Sequence, residues 1–340
     1  MRAAVIGASG YLGAELLRLL ADHPDVHVTA VQGDSSAGAA VAELYPSLAG
    51  SYGGLSVGGV DIEEALAADV VFVAVPSGQS QPIVGELAGR ARLVVDLGAD
   101  FRLKDPGAYE QWYHFVHTRP DLLAAAVYGL PELNRAELIG AGLVAAPGCY
   151  VTAASLALAP FVTNGFVEPT GIVIDAASGT SGAGRSPSGA LHHPHVSGRF
   201  SAYGVLTLRH TPEIQQVLGA EVLFTPHLAP MTRGILATCY ARPTSGAALS
   251  SSEEVIDVLR QAYSHEPFVH VSPELVSTGD AYGSNVAHLT ARYDPRTNWI
   301  VAFAAIDNLV KGGAGQALQA ANVALGLPES AGLPLVGLAP

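Results

Sequence analysis

Cysteine is scarce in this sequence of 340 residues, which has only two, Cys149 and Cys239. Two cysteines do not form the disulfide framework of a small secreted domain, and we expect a reducing, cytoplasmic location. Basic residues are also scarce, with 17 Lys and Arg against 30 Asp and Glu and a net charge of −13. Because nucleic acids and anionic membranes attract basic surfaces, we expect neither as a partner.

Long hydrophobic runs are missing too, although 49% of the residues are hydrophobic. No run approaches the ~18 residues that a membrane helix needs. The chain opens on a short apolar stretch rather than on a signal peptide. Charged residues make up 14% and glycine occurs 38 times. This composition is typical of a compact α/β enzyme with many turns, and the length allows two domains.

Short apolar runs alternate with helical stretches in the first half of the chain. Runs without polar alternation are typical of strands buried on both faces of a parallel sheet, and the helices between them predict βαβ units. The runs are residues 3–6, 26–31, 69–75, 93–97 and 143–146. We predict a Rossmann-type dinucleotide-binding domain over residues 1–148.

The second half has a different pattern, in which β-rich segments are separated by long loops with Pro and Gly. The β-rich segments are residues 171–177, 234–241, 286–293 and 299–305. They predict an α+β catalytic and oligomerisation domain with a mixed sheet over residues 149–307. The remaining residues, about 308–340, include an Ala/Leu-rich helix near 313–326, which we expect to fold back onto the first domain.

A glycine-rich turn lies between the first strand and the first helix. Glycine lets backbone N–H groups approach a diphosphate, and the helix N-terminus adds partial positive charge. The spacing is G-x-x-G-x-x-G rather than the commoner G-x-G-x-x-G, and a tight turn without a ligand is the alternative. The position favours nucleotide binding. The candidate cofactor-binding residues are Gly7, Ser9, Gly10, Tyr11, Leu12 and Gly13.

The loop after the second strand is the place where such domains read the adenosine ribose. Asp34 is suited to the 2′-hydroxyl of NAD, whereas Ser35 and Ser36 are suited to a 2′-phosphate. No Arg occurs between residues 32 and 38. The residues themselves leave the choice between NAD and NADP open.

Cys149 is the candidate nucleophile. It follows Pro147 and Gly148 and stands at the start of an Ala/Leu-rich helical stretch. A helix N-terminus stabilises a thiolate, and its N–H groups can receive an oxyanion. A buried structural cysteine is the alternative. Cys239 lies inside a β-rich segment, and we interpret it as a core residue.

A nucleophile of this kind needs a proton carrier, and twelve histidines compete for the role. His210 stands just before a Pro and a Glu that open a helix, and on this evidence it is one candidate among several. His192, His193 and His195 lie together, but no further ligands follow at a suitable spacing. We therefore interpret them as surface residues and expect no metal site.

Ten segments in order give the sequence an almost end-to-end resemblance to a known family. That family is the N-acetyl-γ-glutamyl-phosphate reductases, the arginine-biosynthesis members of the semialdehyde dehydrogenase group. The segments are residues 7–20, 97–105, 128–135, 147–153, 178–185, 202–204, 209–214, 224–238, 283–285 and 305–319. The resemblance implies NADPH-dependent reduction of N-acetylglutamyl phosphate to the semialdehyde, through a thioester, in a homodimer or homotetramer.

The resemblance also implies residue roles. Cys149 matches the nucleophile, His210 the acid/base and Asn308 the residue that seats the nicotinamide. The turn at residues 10–13 matches the diphosphate site, and residues 34–36 match the adenosine-ribose loop. Because the family uses NADPH, the resemblance favours NADP over NAD.

Two positions depart from the family pattern. Val151 replaces the usual Pro after the PGCY motif, and Leu208 replaces the first His of His-Arg-His. An early Pro stiffens a helix but carries no chemistry. The position that matches the catalytic His is retained at His210, so neither departure removes a group that the reaction uses.

The implied substrate has two anionic ends, a phosphate and a carboxylate. Arg102 is our first candidate for the phosphate, and Arg185 and Arg209 are the next for either end. For each of them, a surface ion pair is the alternative.

Two other functions match parts of the sequence. The HHPH stretch at residues 192–195 resembles a lysine-pathway reductase whose substrate is tethered to an acidic carrier protein. The acidic charge and the PGCY and AYG segments favour the free substrate. A non-catalytic nucleotide-binding redox sensor is the remote alternative, against which the presence of both Cys149 and His210 argues.

Overall fold

The computed structural model describes residues 1–247 and 249–338 and divides into two compact units. The first unit comprises Met1–Pro147 and Gly313–Leu333. The second comprises Gly148–Gly312 together with residues 334–338. Residues 308–312 and 334–338, which the sequence interpretation groups with the first domain, belong to the second unit. Asn308 therefore lies in the same unit as Cys149.

The strands are named in chain order. In the described residues they are β1 Arg2–Ile6, β2 His27–Gln32, β3 Val70–Val73, β4 Leu93–Asp96, β5 Val127–Tyr128, β6 Leu143–Ala145, β7 Ile172–Ser178, β8 Ser201–Ala202, β9 Val222–Leu228, β10 Ile235–Ala241, β11 Val269–Val271, β12 Ala287–Asp294 and β13 Trp299–Ile306.

The helices are named in the same way. In the described residues they are α1 Tyr11–Ala21, α2 Val41–Leu44, α3 Ala49–Tyr52, α4 Ile62–Leu66, α5 Ser80–Leu87, α6 Gly107–Tyr113, α7 Pro120–Ala125, α8 Pro131–Leu138, α9 Cys149–Thr163, α10 His193–Val196, α11 His210–Leu218, α12 Ser252–Ala262, α13 Thr278–Ala281 and α14 Gly315–Leu325. Short 3₁₀ turns occur at Pro46–Leu48, Thr180–Ala183 and Gly189–Leu191, and a π-helical turn at Val310–Ala314.

The first unit contains a parallel sheet with strand order β2-β1-β3-β4-β6-β5. Its central strands β3 and β4 are buried at every residue, as continuous apolar runs predict. The predicted Rossmann-type α/β architecture is confirmed. Within this unit, α14 packs against α1, α8 and β4, and its residues from Gly315 to Ala324 are buried.

The second unit contains a mixed sheet with strand order β11-β12-β13-β10-β7-β9-β8. The pairs β7/β9 and β11/β12 are parallel, and the remaining pairs are antiparallel. Side chains alternate between buried and half-buried along β7 and β10. The helix α9 packs on the sheet and against α11 and α12, so it is apolar on all sides. The predicted mixed sheet is confirmed.

The elements β9 and α10 differ from the sequence interpretation. β9 was not predicted, because Pro226 interrupts its apolar pattern and proline lacks the N–H that a strand interior uses. The stretch at residues 192–195 is partly helical, since α10 begins at His193 with Pro194 in its first turn.

Among the described helices, none combines the length and the apolar character that crossing a bilayer demands.

Candidate functional site

The glycine-rich turn of the first unit is closely packed. A Cβ on Gly7 would lie 2.2 Å from the carbonyl oxygen of Ala74, and Gly7 has a φ of 86°. A Cβ on Gly13 would lie 2.3 Å from the carbonyl oxygen of Gly7. Only glycine is compatible with both positions. The turn therefore presents a bare backbone, followed at once by the N-terminus of α1.

The loop after β2 adjoins this turn. A Cβ on Gly33 would lie 3.5 Å from the hydroxyl oxygen of Ser9. Asp34 and Ser35 are exposed and Ser36 is half-buried. Polar side chains thus stand beside the helix N-terminus at the carboxyl end of the strands, where α/β sheets bind nucleotides. This arrangement fits a dinucleotide.

In the second unit, Cys149 is the first residue of α9. Gly148 caps the helix in an extended conformation, with φ −71° and ψ 146°, and Cys149 itself is half-buried. The first turn of a helix directs backbone N–H groups outward that have no partner within the helix. The Cys149 thiol therefore lies where a negative charge is stabilised.

His210 lies beside the cap of α9. It is the first residue of α11, and a Cβ on Gly148 would lie 2.4 Å from its Cδ2 and 2.7 Å from its Nε2. The sequence leaves several histidines open, and the fold places this one beside Gly148, the residue that precedes Cys149. The histidine at 210 and the cysteine at 149 therefore share one site.

Glu213 lies in the same part of the second unit, beside Gly148 and His210. It is fully buried, three residues after His210 on α11, and its Oε1 accepts a 2.9 Å hydrogen bond from the Gly148 N–H. This contact ties α11 to the first turn of α9. Our sequence interpretation did not assign a role to Glu213, although its spacing of three from His210 places both on one helix face.

Two tyrosines lie near His210 and Gly148. The ring of Tyr150 meets the imidazole of His210 edge-on, with centroids 5.6 Å apart. Tyr203 donates a 3.0 Å hydrogen bond to the hydroxyl of Tyr150. Burial raises the pKa of both, that of Tyr203 to about 12. Both hydroxyls therefore stay protonated at neutral pH.

Asn308 is held rigidly within the second unit. Its Oδ1 accepts from the Gly234 N–H at 2.7 Å, and its Nδ2 donates to the Ser181 hydroxyl at 2.9 Å. The preceding Asp307 is fully buried, and its carboxylate accepts from the N–H groups of Leu309 and Val310 at 2.9 and 3.1 Å.

Asp307 also determines the course of the chain after Asn308. Its backbone oxygen accepts from the Gly312 N–H at 2.9 Å. A Cβ on Gly312 would lie 2.7 Å from the Cβ of Cys149. The loop that carries Asn308 thus continues directly to Cys149.

Arg102 lies in the first unit and makes two hydrogen bonds to backbone carbonyls. Its Nε donates to Ala146 at 2.7 Å and its Nη2 to Leu97 at 3.0 Å. These carbonyls follow the ends of β6 and β4. Arg102 therefore joins two strand ends, a contact that the sequence did not predict.

The other two candidate arginines are exposed. Arg185 lies in the loop after the turn Thr180–Ala183, and Arg209 stands at the N-cap of α11. His193 and His195 are exposed as well, as expected for surface residues. In the described part of the chain, no group of three or more His, Cys, Asp or Glu side chains is placed to hold a metal ion.

Comparison with known proteins agrees with this geometry. Residues 2–141 match the family described as semialdehyde dehydrogenase, NAD binding domain, and residues 149–308 match semialdehyde dehydrogenase, dimerisation domain. The fold is also that of aspartate semialdehyde dehydrogenases. The enzyme of Candida albicans, solved with NADP, superposes with a TM-score of 0.71 over 95% of this chain and 98% of that one, at 16% identity. The Vibrio cholerae enzyme gives a TM-score of 0.69 at 18% identity, over 95% and 97% of the two chains.

Fold and site therefore define a semialdehyde dehydrogenase-type protein. Much closer relatives are N-acetyl-gamma-glutamyl-phosphate reductases. That of Pelotomaculum thermopropionicum is 47% identical over 100% of this chain and 99% of its own. That of Symbiobacterium thermophilum is 47% identical over 98% and 97%. The chain belongs to the N-acetyl-gamma-glutamyl-phosphate reductase family.

Proposed function

We propose that this protein reduces N-acetylglutamyl 5-phosphate to N-acetylglutamate 5-semialdehyde with NADPH, as a step of arginine biosynthesis. The observation that carries the proposal is the placing of Cys149 and His210 around Gly148, at the N-terminus of the buried helix α9. This pair supplies the nucleophile and the proton carrier of an acyl transfer. The full-length similarity to the reductases supports the substrate.

The reaction begins with the Cys149 thiolate. It attacks the acyl carbonyl, a C–S bond forms, and the C–O bond to phosphate breaks, so that phosphate leaves and a thioester remains. Thiolate suits both halves of the reaction, because it is a strong nucleophile and later a good leaving group. The N–H groups at the start of α9 lie where a developing oxyanion needs donors.

NADPH, when bound, supplies the hydride that reduces the thioester. His210 protonates the oxygen of the resulting thiohemiacetal and takes the proton back as the C–S bond breaks. The aldehyde then leaves and the thiolate is regenerated. Glu213 holds Gly148, and thereby the first turn of α9, in place through its 2.9 Å hydrogen bond.

The cofactor is expected on the glycine-rich turn of the first unit. Gly7, Gly10 and Gly13 expose the backbone to a diphosphate, with Ser9, Tyr11 and Leu12 in the same turn. Ser35 and Ser36 offer hydroxyl donors to a 2′-phosphate, and Asp34 stands before them. We assign Asn308 to the nicotinamide, since its amide is held by two hydrogen bonds in the loop that reaches Cys149.

Self-association is part of the proposal. The outward side chains of β7, β10 and β13 include the half-buried Val173, Leu236, Val301 and Phe303, on the sheet face opposite α9. Asp175 and Thr238 lie on the same face, which is otherwise largely apolar and is suited to a second copy of the chain. The match to a dimerisation domain over residues 149–308 supports a homodimer or homotetramer. Light scattering on the purified protein determines its molar mass and so distinguishes a homodimer from a homotetramer.

A reverse assay tests the function. N-acetylglutamate semialdehyde, inorganic phosphate and NADP or NAD are mixed with the enzyme, and reduction of the cofactor is followed at 340 nm, the absorbance maximum of the reduced form. We expect phosphate-dependent reduction of NADP. Failure with the free substrate, together with activity on a carrier-linked aminoadipate semialdehyde, would move the protein to the lysine pathway. Cofactor binding without turnover on either substrate would favour a redox sensor.

A further inference from the structure

Tyr203 lies in a segment of the second unit that is otherwise largely exposed. Between α10 and α11, Phe200 is 60% and Leu206 66% exposed. Tyr203 itself is at the surface, yet its hydroxyl donates to the hydroxyl of Tyr150 at 3.0 Å. A polar group of an exposed segment thus reaches a side chain next to Cys149. The AYG motif at residues 202–204 has no role in the proposed reaction.

Tyr150 transmits this contact to His210. Its hydroxyl donates to the His227 carbonyl at 3.2 Å, so the far end of the ring is held by two hydrogen bonds. Its ring meets the imidazole of His210 edge-on at 5.6 Å and 75°, and meets Phe224 at 5.2 Å and 67°. The hydroxyl of Tyr150 is held by hydrogen bonds and its ring is packed between His210 and Phe224. The ring therefore has one orientation and limits the positions that the imidazole can take.

The exposed segment, residues 200–203, is held against β9 in one register. The Tyr203 N–H donates to the Pro226 carbonyl at 3.1 Å, and Ser201 and Ala202 pair with β9. Phe200 stacks on His227 with centroids 5.1 Å apart and an angle of 4°. The pairing of β8 with β9 therefore determines the position of the Tyr203 hydroxyl next to Tyr150.

We infer that Tyr203 is a positioning residue, whose hydroxyl fixes Tyr150 and through it the imidazole of His210 beside Gly148. The inference rests on the proposed roles of Cys149 and His210. Since burial raises the pKa of Tyr203 to about 12, its hydroxyl acts as a donor rather than as a base. The ionisable groups near His210 include Glu213 on its own helix and Tyr150 on α9, and Arg209 precedes it in the chain.

Tyr203→Phe removes the hydroxyl and keeps the ring. We expect kcat to fall about 3- to 10-fold, the effect of one hydrogen bond, with the KM for NADPH unchanged. The rate of Cys149 alkylation by iodoacetamide, measured against pH, should shift its midpoint by about 0.3 to 1 pH unit. This readout reports Cys149, because Cys239 is buried and burial raises its pKa. An unchanged alkylation profile would overturn the inference.

A double-mutant cycle tests whether Tyr203 acts through Tyr150. Tyr150→Phe should shift the profile in the same direction, and adding Tyr203→Phe to it should cause no further shift. Two independent, additive shifts would show that Tyr203 does not act through Tyr150.

Tyr263→Phe is the matched control. The Tyr263 hydroxyl donates to the Leu156 carbonyl at 2.8 Å, so the variant removes a hydrogen bond to the same helix α9, about two turns after Cys149. Tyr263→Phe should lower the melting temperature without shifting the midpoint of the alkylation profile. A shift as large as that of Tyr203→Phe would show that both variants act by loosening α9 in general. Alkylation needs no substrate. The role of Tyr203 can therefore be disproved while the reverse assay confirms the proposed function. Equally, the reverse assay can fail while the alkylation results support Tyr203.

Discussion

Gly312 lies against Cys149 so closely that a Cβ at position 312 would stand 2.7 Å from the Cβ of Cys149 and 3.3 Å from its Cα. The course of the chain here is imposed by Asp307, whose backbone oxygen accepts from the Gly312 N–H at 2.9 Å. Cys149 is therefore positioned from two sides, by its own helix and by the backbone of a loop that follows β13.

The substitution Gly312→Ala should displace the nucleophile. A displacement of about 1 Å at a reacting group costs roughly 10²-fold in rate, so we expect a loss of at least that order in kcat. Steady-state kinetics in the reverse assay measure it. Gly189→Ala is the control, because a Cβ there meets no atom within 4 Å. Near-normal turnover of Gly312→Ala would mean that this close approach does not position Cys149.

Cys149→Ala should abolish turnover and leave NADPH binding largely intact, because the proposed thioester forms on Cys149 whereas the diphosphate and ribose of the cofactor are assigned to the first unit. Rates come from the reverse assay, and binding from the quenching of protein fluorescence by NADPH. Cys239→Ala is the comparison, since Cys239 is a buried core residue in β10. Residual activity above about one hundredth of the wild-type rate in Cys149→Ala would contradict the thioester route.

His210→Asn should be less severe, with a loss of about 10²- to 10⁴-fold in kcat, the range of general acid–base catalysis. Glu213→Gln keeps the size of the side chain and an oxygen that can accept from Gly148, so it should cost less than His210→Asn. Stopped-flow measurement of phosphate release separates acylation from reduction. Wild-type kinetics in His210→Asn would assign the proton transfer to another group.

The sequence predicted the parts of this site that depend on local pattern. A Pro-Gly turn before an apolar run predicted a helix beginning at Cys149, and Gly7 and Gly13 marked the nucleotide turn between a strand and a helix. Several contacts were not predictable in this way. Gly148 and Glu213 are 65 residues apart, and Tyr150 and Tyr203 are 53 apart, so each meeting depends on how β9 and α11 pack. Position 102 shows the same limit, because a motif identifies an arginine but not the carbonyls that it binds.

Arg102→Ala tests the assignment of the phosphate-binding residue. If Arg102 binds phosphate, the KM for inorganic phosphate in the reverse assay should rise while the KM for NADP stays constant. Arg102→Lys keeps the charge and loses the planar pair of donors to Ala146 and Leu97, so it separates charge from strand tethering. Equal increases in both KM values would show that Arg102 acts by holding the strand ends. Arg185 and Arg209 would then be the next candidates.

The last prediction concerns Asp96, which is fully buried at the end of β4. Its carboxyl accepts from the Gly98 N–H at 3.0 Å and from the Ser80 hydroxyl at 3.2 Å. Burial first, and then the charge of Asp100, raises the pKa of Asp96 from 3.8 to about 7, although Arg102 opposes the rise. Between about pH 4 and pH 7 the folded protein therefore holds a proton that the unfolded chain has lost.

Stability consequently falls as the pH rises through this window, and the penalty is complete above pH 7. Asn resembles the protonated acid in shape but does not titrate, so the stability advantage of Asp96→Asn over the wild type should grow by roughly 2–4 kcal/mol between pH 5 and pH 8. Urea unfolding at both pH values measures this. Trp112 fluorescence reports on the first unit in a Trp299→Phe background, since these are the two tryptophans of the chain. A stability difference that is the same at both pH values would show that the Asp96 carboxylate is not penalised by burial, because Arg102 compensates its charge fully.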